Sequence, residues 1–228
     1  HAQAVSYLQL ENSLQQAIEK NQFFLNYQPI VLLETNKIKG FEALLRWKSP
    51  ERGLVPPTEF ITIAEETGLI IPIGRWVLLE ACRQMNAWHT QLPKYSNLRI
   101  SVNISAKQFT LELVHTIKKI LNETGLDPAC LKLEITESAI INNPEAAEEI
   151  FSQLKDLNIK VQLDDFGIGY SSLKCLYQFP FDYLKIDQSF IQSMFDNEWA
   201  MEIIKTIITM AHNMKKEVIA EGVKTIEQ

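Results

Sequence analysis

The chain has 228 residues, a formal net charge of -6 and a hydrophobic share of 46%, enough for one sizeable α/β core but not two full domains; no stretch approaches the roughly 20 apolar residues of a membrane span. The acidic balance excludes a nonspecific nucleic-acid binder, whose affinity comes from clustered Lys and Arg. Cys82, Cys130 and Cys175 stand far apart without CxxC spacing, and no basic segment leads into an apolar run at the start, so a reduced, cytoplasmic protein is expected.

Residues 1–20 read as a helix, with Leu8, Leu10, Leu14, Ala17 and Ile18 recurring at near-helical spacing. Two strand-like runs follow, Phe23 to Leu33 and Ile38 to Trp47, joined only by Glu34 to Lys37. So short a link forbids a parallel crossover, and the two strands are expected to be antiparallel. From there helices and strands alternate. Helical segments near 58–90 lead to a strand at 98–104, and a helix at 106–123, closed by Gly125, leads to one at 130–136. Asn143 as N-cap and Pro144 open a helix to about 157, followed by a strand at 159–164. A helical turn near 171–178 precedes a strand at 182–187, and a long helix to about 214 precedes a seventh strand at 217–220. This alternation implies a parallel sheet covered by helices, as an open doubly wound sheet or a barrel. Nearly every strand ends on a polar residue: Asn103, Glu134, Asp164 with Asp165, Lys185 with Asp187, and Glu221. A barrel gathers such strand ends around one mouth, which favours a TIM-like (β/α)8 barrel with an antiparallel first strand.

Within that frame Glu42, Leu44 and Arg46 share one face of the second strand. A carboxylate amid Phe41, Ala43, Leu44 and Leu45 needs a cation, supplied either by a salt bridge such as Arg46 or by a bound metal. Glu42, Glu134, Asp164, Asp165 and Glu221 together set five carboxylates against Arg46 and Lys185. Such crowding favours bound cations, and an all-oxygen set completed by the Asn103 amide suits Mg2+ or Mn2+ rather than zinc. His1, His89, His115 and His212 lack metal spacing. Adjacent Asp164 and Asp165 fit a two-metal site or, more blandly, a cap or turn; Lys185 and Asp187, on one face of their strand, fit a structural ion pair or a lysine orienting an attacking water.

Ordered motifs then match one family. Glu42, Ala43, Leu44 is the signature of the EAL domains. Resemblance continues through Tyr27 to Ile30, Pro56 and Pro57 with Phe60 and Ile61, Val102 to Ser105, Glu134 to Ser138, Asp164 to Gly167 and on to Ser172, Lys185 to Asp187, and Ala220 to Val223. It implies a barrel that hydrolyses one phosphodiester of cyclic di-GMP to linear pGpG with two divalent ions, Mg2+ or Mn2+. By the resemblance Glu42, Asn103, Glu134 and Asp164 hold one ion, while Asp164, Asp165 and Glu221 serve the other. Lys185 contacts the nucleophilic water, Gln28, Arg46 and Asp187 contact substrate, and Glu137 fixes the loop Phe166 to Ser172, a loop implicated in metal coupling and dimer contacts. Glu42, Glu137, Lys185 and Glu221 are thus the expected catalytic set.

The resemblance also implies residues 1–20 as a linker helix from an upstream sensory or GGDEF domain, residues 21–228 as the EAL domain, and a homodimer. The full-length protein could be membrane-tethered, while this portion touches neither membrane nor nucleic-acid polymer. Two departures stand out: Lys224 replaces a usual glutamate, and family members continue for about 25 residues, one more helix and strand, if the barrel is to close. The rival reading is an inactive EAL domain that only senses cyclic di-GMP, although every matched ligand is present. An enolase-type lyase does not predict Gln28 and Arg46 as substrate contacts. Asp165, Phe166, Gly167 lacks the other kinase motifs, and the paired His and Asp ligands of HD-type phosphodiesterases are absent.

Overall fold

The computed structural model describes residues 2–142, 144–167 and 173–228, and the chain divides into two compact units, His1–Lys132 and Leu133–Gln228. The expected cap Asn143 and most of the loop ending at Ser172 lie outside the described residues.

The first unit opens with helix α1 (Ala2–Ala17), whose Leu10, Leu14 and Ala17 are buried. Strands β1 (Phe23–Leu32) and β2 (Lys37–Ser49) pair antiparallel, as the short link requires. Sequence reading passed over a short strand, β3 (Gly53–Val55), which pairs antiparallel with the far end of β2. Three residues carry too little periodicity to register as a strand. The helical stretch that follows is two helices, α2 (Pro57–Thr67) and α3 (Ile70–Gln91), because Gly68 takes a left-handed conformation, φ 81°, that caps the first. After this crossover β4 (Arg99–Ile104) lies parallel to β2, and α4 (Leu111–Thr124) starts later than its pattern suggests, at Leu111 behind Thr110. Phe23, Trp47, Phe60 and Trp76 form the aromatic core, with ring centroids 5.6–6.1 Å apart, a spacing that suits tilted and edge contacts.

In the second unit β5 (Leu131–Thr136), which begins two residues before the unit boundary, precedes a short helix α5 (Glu137–Ile141) that lacks the length to show a period. Helix α6 (Pro144–Asp156) buries Ala147, Ile150, Phe151 and Leu154 and leads to β6 (Lys160–Phe166). Helix α7 (Leu173–Gln178) precedes β7 (Tyr183–Ile186). The expected long helix is two, α8 (Gln188–Ser193) and α9 (Glu198–Asn213), the latter capped by the Asn197 side chain. Strand β8 (Glu217–Ala220) closes the series, and β6, β7 and β8 pair parallel in that order. Phe151 and Phe179 stack at 5.4 Å beneath them.

Candidate functional site

In the first unit the β1/β2 register sets Gln28 opposite Glu42 and Phe24 opposite Arg46. Alternation then puts Gln28, Glu42 and Arg46 on one face. The parallel partner β4 brings Asn103 to the same place: its side-chain amide donates to Glu42 Oε1 at 2.8 Å. Glu42 is half-buried, Gln28 and Asn103 are exposed, and Arg46 donates through Nη1 to the Leu45 carbonyl at 2.8 Å. Four of the expected site residues stand on one accessible face, a carboxylate and an amide in contact among them.

In the second unit Lys185 is the centre. Its ammonium, 2% exposed, donates to Glu134 Oε2 at 2.6 Å, lies 3.2 Å from Asp164 Oδ1 and contacts Glu221 Oε1. Glu134 is itself 1% exposed. Three carboxylates from β5, β6 and the end of β8 thus converge on one ammonium from β7. Burying any of these charges alone would cost several kcal/mol, so their mutual compensation is a condition of the fold. Among the described residues no group of three or more His, Cys, Asp or Glu is arranged as a ready-made ligand cluster. The Lys185 ammonium supplies part of the counter-charge that this crowding of carboxylates requires.

The neighbouring carboxylates are placed by backbone irregularities that alternation does not foretell. The β6/β7 register shifts between Leu163 and Phe166, a bulge at Asp164 and Asp165, and bulges re-aim side chains. Asp165 takes φ 56°, left-handed for a residue with a side chain, and its N–H donates to Asp164 Oδ1 at 2.9 Å. The Asp165 carboxyl is held above its ordinary pKa by partial desolvation first, then by Asp164 and Asp187, while Lys185 pulls it down. These influences put the consecutive aspartates in one electrostatic neighbourhood.

One expectation is corrected. Asp187 is not a member of the strand with Lys185: β7 stops at Ile186, and Asp187 is the N-cap of α8, accepting from Ser189 N–H at 2.7 Å. The signal was present in the sequence as an aspartate two residues before serine at a strand-to-helix junction. Glu137, 8% exposed, stands in the first turn of α5, and its charge reaches Cys175, adding to the burial that raises that thiol to about 11. Cys175 belongs to α7, the helix directly after the loop that Glu137 was expected to hold. All three cysteines are buried and free, as anticipated. Among the described residues, sequence reading passed over Gln162, a buried polar side chain in the middle of β6.

Its likeness to solved structures shows that the chain has an α/β fold of the TIM-like barrel class. A family model described as "EAL domain" matches residues 11–228, and the chain belongs to that family. It is 41% identical over 223 residues to the cyclic di-GMP phosphodiesterase PdeR of Escherichia coli (strain K12), covering 97% of this chain and 33% of that protein. It is likewise 41% identical to the bifunctional diguanylate cyclase/cyclic di-GMP phosphodiesterase MucR of Pseudomonas aeruginosa (strain PAO1), covering 100% of this chain and 33% of the relative. The chain therefore spans about a third of the length of these two relatives. Among solved structures the PaMucR phosphodiesterase in complex with c-di-GMP superposes with a TM-score of 0.91 at 40% identity, covering 96% of this chain and 88% of that one.

Proposed function

We propose that this chain is a cyclic di-GMP phosphodiesterase domain that opens one phosphodiester of the cyclic dinucleotide to give linear pGpG. The observation that carries the reading is the buried Lys185 ammonium among Glu134, Asp164 and Glu221, in a family whose similar members are named for this activity. The donor chemistry fits hard divalent cations. Glu134, Asp164, Asp165 and Glu221 offer carboxylate oxygens only, and Glu42 and Asn103 offer a carboxylate and an amide in contact.

Two Mg2+ or Mn2+ ions, when bound, supply Lewis-acid stabilisation of the phosphoryl oxygens and a more acidic water. In this reading Glu42 and Asn103 of the first unit, and Glu134, Asp164, Asp165 and Glu221 of the second, are the residues that would serve as metal ligands. Lys185, released from part of its carboxylate shell, orients the attacking water by hydrogen bonding. Arg46 and Gln28 hold the substrate's phosphate and guanine, with Asp187 at the junction to α8. Glu137, whose charge reaches Cys175 of α7, would fix the loop Phe166 to Ser172, most of which lies outside the described residues. The domain acts in the cytoplasm, as a homodimer, and downstream of a sensory or GGDEF domain.

Incubating the purified domain with cyclic di-GMP and Mg2+ and resolving the nucleotides chromatographically tests this: pGpG is expected, and Glu42→Ala abolishes it. Tight binding of cyclic di-GMP with no pGpG would instead make the domain a receptor.

A further inference from the structure

In β6, Gln162 is 0% exposed, and neither its side-chain oxygen nor its nitrogen has a hydrogen-bond partner among the described residues. A carboxamide brings two donors and two acceptor sites, and burying them without partners is a standing cost to the fold. Methionine has nearly the same shape and carries no such cost. The flanking Val161 and Leu163 are buried and apolar, and neither side chain can partner the amide. A buried polar group kept at a cost to stability points to work done elsewhere.

Its position says where. Asp164, two residues on, reaches the Lys185 ammonium at 3.2 Å, and Lys185 is the reference for the face on which Gln162 lies. On the neighbouring strand the register pairs Gln162 with Tyr183, two residues before Lys185. The amide thus occupies the layer directly beneath the Asp164 and Lys185 pair, whose charged atoms lie 3.2 Å apart.

Resting on the phosphodiesterase reading above, we propose that Gln162 is a positioning residue: its carboxamide anchors one enclosed water that supports the Asp164 carboxylate and the Lys185 ammonium from below. An amide suits the task because it can hold a water that in turn donates to the Asp164 carboxylate, whose lone pairs outnumber the donors the lysine brings to it. An enclosed water needs two to four polar partners, and the Gln162 amide and the Asp164 carboxylate would be two of them. Groups that orient metal-binding carboxylates from behind shift metal affinity or turnover by about 10- to 100-fold.

The test compares wild type with Gln162→Met and Gln162→Asn in three measurements: thermal melting in EDTA, Mn2+ affinity by calorimetry, and steady-state hydrolysis of cyclic di-GMP. The methionine variant is expected to melt at the wild-type temperature or up to roughly 6 °C above it. It is expected to bind Mn2+ about tenfold more weakly and to lose kcat about tenfold with KM unchanged. The asparagine variant, which keeps the amide, recovers part of both losses. Mn2+ affinity and kcat that stay at wild-type values in Gln162→Met overturn the assignment. So does a methionine variant that melts several degrees lower, since the amide then serves only the core. Wild-type protein that makes no pGpG removes the phosphodiesterase reading instead, and the Mn2+ affinities still decide the role of Gln162.

Discussion

Lys185 carries more of the site's electrostatics than any other side chain, because Glu134, Asp164 and Glu221 all face its ammonium and the lysine is almost fully buried. Removing one member of such a group leaves uncompensated charge rather than a neutral gap. Lys185→Met is therefore expected to lower the unfolding free energy of the metal-free domain by about 3–5 kcal/mol, read from urea denaturation in EDTA. Saturating Mg2+ should close much of that gap, since a cation that binds the folded state stabilises it. Turnover should nevertheless stay down by roughly 100-fold or more, because a metal replaces the lysine's charge but not its hydrogen bond to water. A variant as stable as wild type in EDTA would mean that the three carboxylates do not depend on this ammonium.

At the scale of elements, the fold's tolerances lie where backbone meets backbone. Gly40 in β2 pairs with Arg99 in β4, and a Cβ added there would stand 2.4 Å from the Arg99 carbonyl oxygen. Backbone cannot swing aside as a flexible side chain can, so Gly40→Ala should cost about 3 kcal/mol and loosen the β2/β4 pairing next to Glu42 and Asn103, seen as a lower urea midpoint. In the second unit Asp182 ties the start of β6 to the approach to β7, accepting from Val161 N–H at 3.0 Å and from Lys160 Nζ at 2.9 Å. Asp182→Ala should cost about 1–2 kcal/mol, and Asp182→Asn less, because an amide oxygen still accepts the strand's N–H. These element-level facts also mark how far the sequence could be read. The strands, the antiparallel opening and the acidic strand ends follow from alternation and link length, which are periodic and local. The bulge at Asp164 and Asp165 is a left-handed backbone conformation adopted by an aspartate, for which no glycine gives warning. The partnership of Lys185 with Glu134 joins residues 51 apart, and no local pattern brings such a pair together. Gln162 sits in an otherwise apolar run and was passed over because its burial, not its identity, makes it unusual.

At the scale of the whole molecule, buried acids set the alkaline limit of stability. Burial pushes the Cys82 thiol, 0% exposed in α3, up from 9.0 to about 12. Burial first, then the charge of Glu80, raises Tyr27 from 10.0 to about 12, and Cys175 goes up to about 11. In each case the folded state favours the protonated, neutral form. The stabilisation is complete below the group's unfolded pKa and is lost as pH rises through the folded value, so the window runs from about pH 9 to 12. Lys216 works in the opposite sense: burial lowers its pKa against the pull of Asp182, so stability gains as pH climbs toward the lysine's unfolded value. It is a single partly exposed group set against three, and the net trend is downward. Urea unfolding between pH 8 and 11 should therefore show a falling free energy, Cys82 alone contributing a slope of about 1.4 kcal/mol per pH unit within its window. Cys82→Ala should flatten that slope while costing about 1 kcal/mol at pH 7 through the small cavity it leaves. An unchanged slope in the variant would show that the thiol ionises as readily in the folded chain as in the unfolded one. A thiol reagent at pH 8 gives the independent check, since Cys82 should stay unmodified in the native protein and react once urea unfolds it.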